Sequence, residues 1–400
     1  MFAAVTERSP FHERIEPLCT SYAWKHWGGY YAVCRFGESH LPEYWAFREA
    51  CGVTDVTPLY KYDVRGRDAA RLLSRMMVRN LADLRVGRVA YACWCDPAGK
   101  VIDDGTVTRL GEEHFFVTAA EPSLSWMSRV GRRLDVEISD VSEKIAALSL
   151  QGPTSREILR QCSDADVDRL KFFGTTRAKL DGAELRISRT GYTGDLGYEL
   201  WCDATDAVRV WDAVMDAGRS YGIQPAGIDA LDMARIEAGF IMLGVDYYSA
   251  PHVTIDARRS TPYEIGLDWC VELERDPFIG QDALRDEVKR GPAWQTVGIE
   301  ADWVELEDLY EHYGLPPGLV PTASRQSIPL YSGDRFAGQV TSSVWSPLLK
   351  RQIGIASVQA PHASLGTGLR LEHTVLYERR TVAARVVEKP FFDPERKRKP

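Results

Sequence analysis

Apolar residues along the chain switch between a helical and a strand period, and the switches mark out the elements. Residues 40–52, HLPEYWAFREACG, predict a short helix closed by Gly52, and LYKYDVRG at 59–66 a strand ended by Gly66. Residues 67–84 carry Ala, Leu and Met at helical spacing and predict a helix whose Met pair is core. RVAYACWC, the turn DPAGK, VIDDGTVTRL and HFFVTAA then read as successive strands. IAALSLQGP runs into SREILRQC as strand into helix, with Pro153 near the helix start. Residues 204–222 predict a helix stopped by Gly222, and AGIDALDMARIEAG a second one ending at Gly239. From residue 296 onward short strands alternate with Gly, Ser and Asp turns and almost no helix, which predicts a separate antiparallel barrel behind an α+β front part.

At 400 residues the chain exceeds one compact core, so two or three domains are expected. A net charge of −8 argues against nucleic acid or an anionic membrane as the main partner. The basic run ERKRKP at 395–400 predicts a solvated, mobile end. Glu7, Arg8, Glu13 and Arg14 sit where an export signal needs an apolar run, and no stretch has membrane-spanning length; a cytoplasmic protein with no membrane partner is expected. The eight cysteines are scattered, with Cys93 and Cys95 the one close pair, and the histidines are dispersed, so no disulfide framework and no metal are expected.

Two stretches carry candidate chemistry. RISRTGYTGDLGYELW at 186–201 sets Tyr192 and Tyr198 among Gly191, Gly194 and Gly197, with Glu199 following. A plain hairpin explains the glycines; bare backbone beside rings and one carboxylate also suits a flat, nitrogen-rich heterocycle. In VIDDGTV, alternation puts Asp103 and Asp104 on opposite faces, so one of them faces inward. That residue is either a cap for backbone N–H groups or a base at a site.

GKVIDDGTVT, LSLQGP, SRTGYTGDLGYEL, DMARIEAG, TPYEIGLDW followed by FIGQDAL, GQVTSSVWSPLLKRQIGIASV and ARVVEKPFF together resemble, in order and spacing, the glycine cleavage T-protein (aminomethyltransferase) superfamily, from about residue 10 to 392. The resemblance implies tetrahydrofolate as cofactor and a three-domain cloverleaf of two α+β domains and a C-terminal antiparallel β-barrel. On that pattern residues 1–60 with 145–225 form the first folate-binding domain, 61–144 with 226–295 the second, 296–392 the barrel, and 393–400 a basic tail. It also implies roles: Asp104 as the catalytic acid near the reactive edge of the pterin, and Tyr91, Tyr192 and Glu199 as folate contacts. Arg235 matches a folate-site arginine and Arg380 a basic residue near the folate glutamate tail. Their alternatives are a buried salt bridge to Glu237 or Asp232 for Arg235, and a barrel-surface position for Arg380.

Departures from the family pattern lie where a donor would bind. Asp55, Val56, Thr57 and Pro58 replace a histidine-containing motif, and Gly105 and Thr106 follow the candidate acid. An insertion of roughly ten residues follows RIEAG. It offers Tyr247, Tyr248 and His252 as donor-facing groups, with Arg258 and Arg259 as carboxylate partners, and Tyr30 joins them from the aromatic stretch SYAWKHWGGYYAV. These departures favour a small-molecule donor of a methyl or methylene group, a demethylase-type transfer to N5 of tetrahydrofolate. A T-protein acting on a lipoyl carrier is the enzyme alternative, and a non-catalytic folate-binding module the alternative from another class. Thr190, Gly191 and Asp195 give the enzyme-like motif rather than the cysteine version of the iron–sulfur assembly relatives.

Overall fold

The computed structural model of the protein describes residues 6–319 and 322–399. A six-stranded sheet runs in the order Thr175–Leu180, Ala183–Ser188, Gly197–Asp203, Ile145–Gln151, Cys51–Asp55, Ile223–Pro225. Its neighbours are antiparallel except the last, parallel pair. Between Asp55 and Ile145 the chain leaves to build a five-stranded antiparallel sheet, ordered Val89–Cys95, Val101–Gly111, His114–Ala119, Tyr60–Arg65, Glu137–Asp140. Strands from Trp294–Ala301 to Glu378–Val387 close into a six-stranded antiparallel barrel. The hairpin Ala23–Trp27 and Tyr30–Arg35 stands apart from all three.

Several elements differ from the sequence reading. The first helix is Leu41–Glu49, and Gly52 lies inside the next strand, where a Cβ would run into the Phe47 ring. The helix expected over 67–84 stops at Met76, because Met77 turns extended and buries its own side chain in the core. Within the barrel region a helix, Trp303–His312, was not anticipated; Asp302 caps it by accepting from the Glu305 N–H at 2.9 Å. The basic tail is pinned rather than mobile. Arg396 donates to both Asp195 oxygens at 2.6 and 2.7 Å, Lys397 is buried, and Arg189 donates to the Arg396 and Lys397 carbonyls at 3.3 and 3.2 Å. Only a partner about two hundred residues away in sequence explains this, which no local composition signals.

Two buried acids join the parts. Glu237 accepts from Tyr44 Oη at 2.6 Å, Arg48 Nη2 at 2.6 Å and Ser346 Oγ at 2.5 Å, tying two helices to the barrel. Asp246 accepts from Arg235 Nη1 at 2.5 Å, the Met242 N–H at 2.9 Å, Thr341 Oγ1 at 2.5 Å and Ser342 Oγ at 2.7 Å. It thereby fixes the inserted segment to the helix Ile228–Glu237 on one side and the barrel on the other.

The pinned tail gives a test. Arg396→Ala removes the direct partner of a fully enclosed Asp195 and is expected to cost about 2 kcal/mol in denaturant unfolding, between surface and buried ion pairs. Lys399→Ala, whose Glu395 partner is exposed, is expected to change stability by less than about 0.5 kcal/mol.

Candidate active site

The site grows from one strand that is buried on both faces. In Val89–Cys95, Ala90, Ala92 and Trp94 enter the core of the five-stranded sheet, while Tyr91, Cys93 and Cys95 enter a second core around the helix Ile228–Glu237. On the neighbouring strand Asp103 lies opposite Trp94 and Asp104 opposite Cys93. Period-two alternation therefore sends the two aspartates into different cores. Gly105 follows because a Cβ there would collide with the Thr118 carbonyl, so only glycine lets the adjacent strand approach.

Asp103 is 0% exposed and spends its carboxylate on backbone, accepting from the Asp104 N–H at 2.7 Å and the Glu121 N–H at 2.9 Å. Asp104 is held instead by two phenols. Tyr91 Oη donates to Oδ2 at 2.6 Å and Tyr247 Oη donates to Oδ1. Burial pushes the Asp104 carboxyl up, and the Tyr247 and Tyr91 hydroxyls pull it back down. Both phenols are raised well above their ordinary range, by burial first and then by the Asp104 charge, so they remain protonated donors. Tyr247, only 1% exposed, reaches Asp104 because Asp246 anchors the preceding residue and the Gly244 N–H donates to the Tyr247 carbonyl at 2.7 Å. The inserted segment is also stitched to the aspartate strand, since the Val101 N–H donates to the Ser260 carbonyl at 2.9 Å.

Flat rings border the same core, with Tyr91, Tyr192 and Phe240 half-buried and Trp269 exposed. Tyr91 stacks on Trp269 with centroids 5.7 Å apart, and Tyr192 on Phe240 at 5.6 Å, each at 20°. Tyr192 Oη donates to the Ile241 carbonyl at 2.5 Å, and Trp27 and Trp45 pack against this cluster. Glu199 accepts from Thr190 Oγ1 through Oε2 while Oε1 takes no donor among the described residues, and burial pushes its carboxyl up. The hairpin glycines have separate causes: Gly194 sits at φ +77°, whereas Gly191 and Gly197 leave room for the Gln151 side chain, which bonds the Thr190 and Tyr198 carbonyls at 3.2 and 3.3 Å.

The structure thus gathers Asp104, Tyr91 and Tyr247 by direct hydrogen bonds and sets Tyr192 against the same core. It corrects other expectations. Arg235 is 0% exposed and donates to Asp232 at 2.7 Å, to Asp246 at 2.5 Å and to Ser342 at 2.7 Å, so it supports the wall from within and offers no free face to a ligand. Arg380 lies on the barrel surface, bonded to Tyr313 at 2.9 Å and Glu378 at 2.5 Å, and meets none of the residues around Asp104. Tyr248 turns outward beneath the Arg258 guanidinium, 6.0 Å from its ring centroid, and His252 is exposed. Arg259 closes its own loop through the Val253 carbonyl at 2.8 Å. Tyr30 sits on the isolated hairpin near Glu7, Asp55 and Glu143 rather than Asp104. Trp269, Phe240 and Asp246 were missed as site residues; Trp269 lies within TPYEIGLDW, but nothing in its spacing marks it as a stacking partner.

Comparison with known proteins decides the family. Residues 20–275 match the GCVT N-terminal domain, and residues 317–393 the glycine cleavage T-protein C-terminal barrel domain. The chain belongs to the glycine cleavage T-protein family. An aminomethyltransferase of Thermoanaerobacter sp. is 31% identical over 89% of this chain and 90% of that protein. A trimethylamine-oxide aldolase of Ruegeria pomeroyi is 32% identical over 98% of this chain, which spans only 48% of that longer protein. The aminomethyltransferase T of the glycine cleavage system from Bartonella henselae shares the fold, with a TM-score of 0.82 over 97% of this chain and 98% of that one at 21% identity. This T-protein family member is therefore an enzyme, with one mixed sheet, one antiparallel sheet and a closed barrel. Among the described residues no helix is long and apolar enough to cross a membrane.

The two aspartates separate by mutation. Asp104 is raised by burial, so its favourable contribution is present below the unfolded carboxyl value and is lost as pH rises through the folded one. At neutral pH Asp104→Asn is expected to hold or raise Tm by a few degrees. Asp103→Asn turns an amide N–H against one of the two backbone donors and is expected to lose about 1–3 kcal/mol, read by thermal and denaturant melts.

Proposed function

We propose that the protein is a cytoplasmic, tetrahydrofolate-dependent one-carbon transferase of the demethylase kind, moving a methyl or methylene group from a small-molecule donor to N5 of tetrahydrofolate. The observation that carries this reading is the Asp104 carboxylate held between the Tyr91 and Tyr247 hydroxyls at the edge of a half-buried aromatic cluster. The residues fit a reduced pterin. The Glu199 Oε1 has no donor among the described residues and suits the amino groups of the heterocycle, and the stacked Tyr192 and Phe240 rings suit its flat face.

Tetrahydrofolate supplies the nucleophilic nitrogen that takes up the carbon. Asp104 supplies negative charge where positive charge builds during that step, and it accepts the proton released as the carbon–nitrogen bond completes. Tyr91 and Tyr247 fix the carboxyl group in place and favour its charged form; their bonds occupy one lone pair on each oxygen and leave the others as acceptors. Tyr192 is fixed by its bond to the Ile241 carbonyl, which orients the ring as a wall. Holding donor carbon and acceptor nitrogen in line supplies much of the remaining acceleration.

A small donor is supported by the inserted segment, which brings Tyr247 directly onto the catalytic acid, and by likeness over 98% of the chain to a protein named for trimethylamine oxide. The second reading, aminomethyl transfer from a lipoyl carrier, is favoured by the aminomethyltransferase relatives that match along about nine-tenths of both chains.

The test is incubation with tetrahydrofolate and a panel of methylated amines, sulfonium compounds, aryl ethers and aminomethyl-lipoyl carrier, separating 5-methyl from 5,10-methylene product. Tetrahydrofolate is expected to raise Tm by mass action, and the absence of a shift at saturation would end the folate reading. Asp104→Asn is expected to lower kcat at least a hundredfold with folate affinity nearly intact. Tyr247→Phe removes a donor that favours the charged carboxylate, so the acidic limb of the kcat/KM profile is expected to move to higher pH.

A further inference from the structure

The isolated hairpin has two faces with different neighbours. Trp24 lies opposite Val33, and both pack on the core of the six-stranded sheet; Lys25 lies opposite Ala32, which belongs to the core containing Tyr247. Trp27, two residues on, packs on that same central core. Cross-strand partners share a face, so Lys25 lies on the face of the hairpin that Ala32 and Trp27 turn to this core.

Lys25 is half-buried and, among the described residues, makes no hydrogen bond or ion pair, yet its nitrogen is not sealed from solvent. The carboxylates near it are committed elsewhere. Asp232 accepts from Arg235 Nε at 2.7 Å and Arg325 Nε at 2.6 Å, and Asp229 pairs with Arg35 at 3.4 Å. Arg325 lies within electrostatic reach of Lys25, keeps 35% of its side chain exposed, and follows Ala323, which packs on the central core. Asp229 and Asp232 are thus each paired with arginine, and among the described residues Lys25 is left without a carboxylate partner. Burial lowers the Lys25 ammonium from its usual range, the cost of an unpartnered cation in a partly dry place.

We propose that Lys25, with Arg325 beside it, forms a carboxylate-binding subsite bordering the central core. It rests on the reading of that core as the folate and donor site, and it replaces Arg380 as the cation that meets a ligand's acidic group. Two ligands of that reading can bring a carboxylate: the glutamate tail of tetrahydrofolate, or an acidic one-carbon donor. An ammonium that waits for such a group loses its desolvation cost when the ligand arrives.

Lys25→Gln keeps the length and removes the charge, and with no internal partner lost the fold is expected to keep its Tm. The affinities of wild type and Lys25→Gln are measured by calorimetry for tetrahydrofolate against 6-methyltetrahydropterin, which carries no carboxylate. The same is done, without pterin, for N,N-dimethylglycine against trimethylamine. A loss of about tenfold confined to tetrahydrofolate assigns the subsite to the folate tail; a like loss confined to dimethylglycine assigns it to the donor. Lys25→Arg is expected to recover most of either loss. If Lys25→Gln leaves all four affinities within twofold of wild type, the subsite is wrong. Failure of wild type to bind either pterin would overturn the folate function instead, and the dimethylglycine arm would still decide the subsite.

Discussion

The ion pair of Arg235 with Asp246 sets the position of almost everything around the site. Both side chains are essentially closed to water, 0% and 1% exposed, and charges so placed persist only when every remaining donor and acceptor is satisfied. Asp246 meets that demand with a backbone N–H from its own segment and two hydroxyls from the barrel, while Arg235 adds Asp232 and the Phe240 carbonyl at 3.0 Å. A helix, an inserted loop and a barrel strand thereby share one small polar knot. Tyr247 is the next residue along the chain, so its hydroxyl inherits the position that the knot defines.

That inheritance explains how a buried carboxylate can be kept ready for chemistry. Desolvation pushes the Asp104 carboxyl up, and the two phenols counter it through hydrogen bonds that favour the charged form. The neighbouring Asp103 faces the same desolvation with the added repulsion of Asp104, and it is used for backbone satisfaction. Two adjacent acids do different work because the strand between two cores gives each a different solvent.

The alternation of Asp103 and Asp104, the hairpin around Tyr192 and the strand-rich barrel were legible because each rests on a local period or a short turn. Arg235 was not, since a buried ion pair and a ligand contact look alike in a helix, and Asp246 lies eleven positions on, beyond a turn. The family likeness of Arg380 gave no warning that it points to solvent beside Glu378. Tyr247 stood out as an aromatic in an insertion, but its partner comes from a strand 143 residues earlier. The tail was misread for the same reason: composition reports solubility, and only Asp195 tells where Arg396 goes. The helix Trp303–His312 did leave a local mark, Asp302 followed three residues later by Glu305, which the dominant strand pattern masked.

The interleaving of the two sheets shapes how the molecule is made. The strand Cys51–Asp55 needs Ile145–Gln151 on one edge and Ile223–Pro225 on the other, whereas the five-stranded sheet lies wholly between residues 60 and 140. The second sheet therefore completes first on the ribosome, while the first strand of the other waits with both edges bare. At about 5–20 residues per second that wait for Ile223 lasts roughly ten to thirty seconds, long enough for an apolar edge to find the wrong partner. Shielding of one early strand during translation is thus a demand this topology makes, separate from the stability of the finished protein.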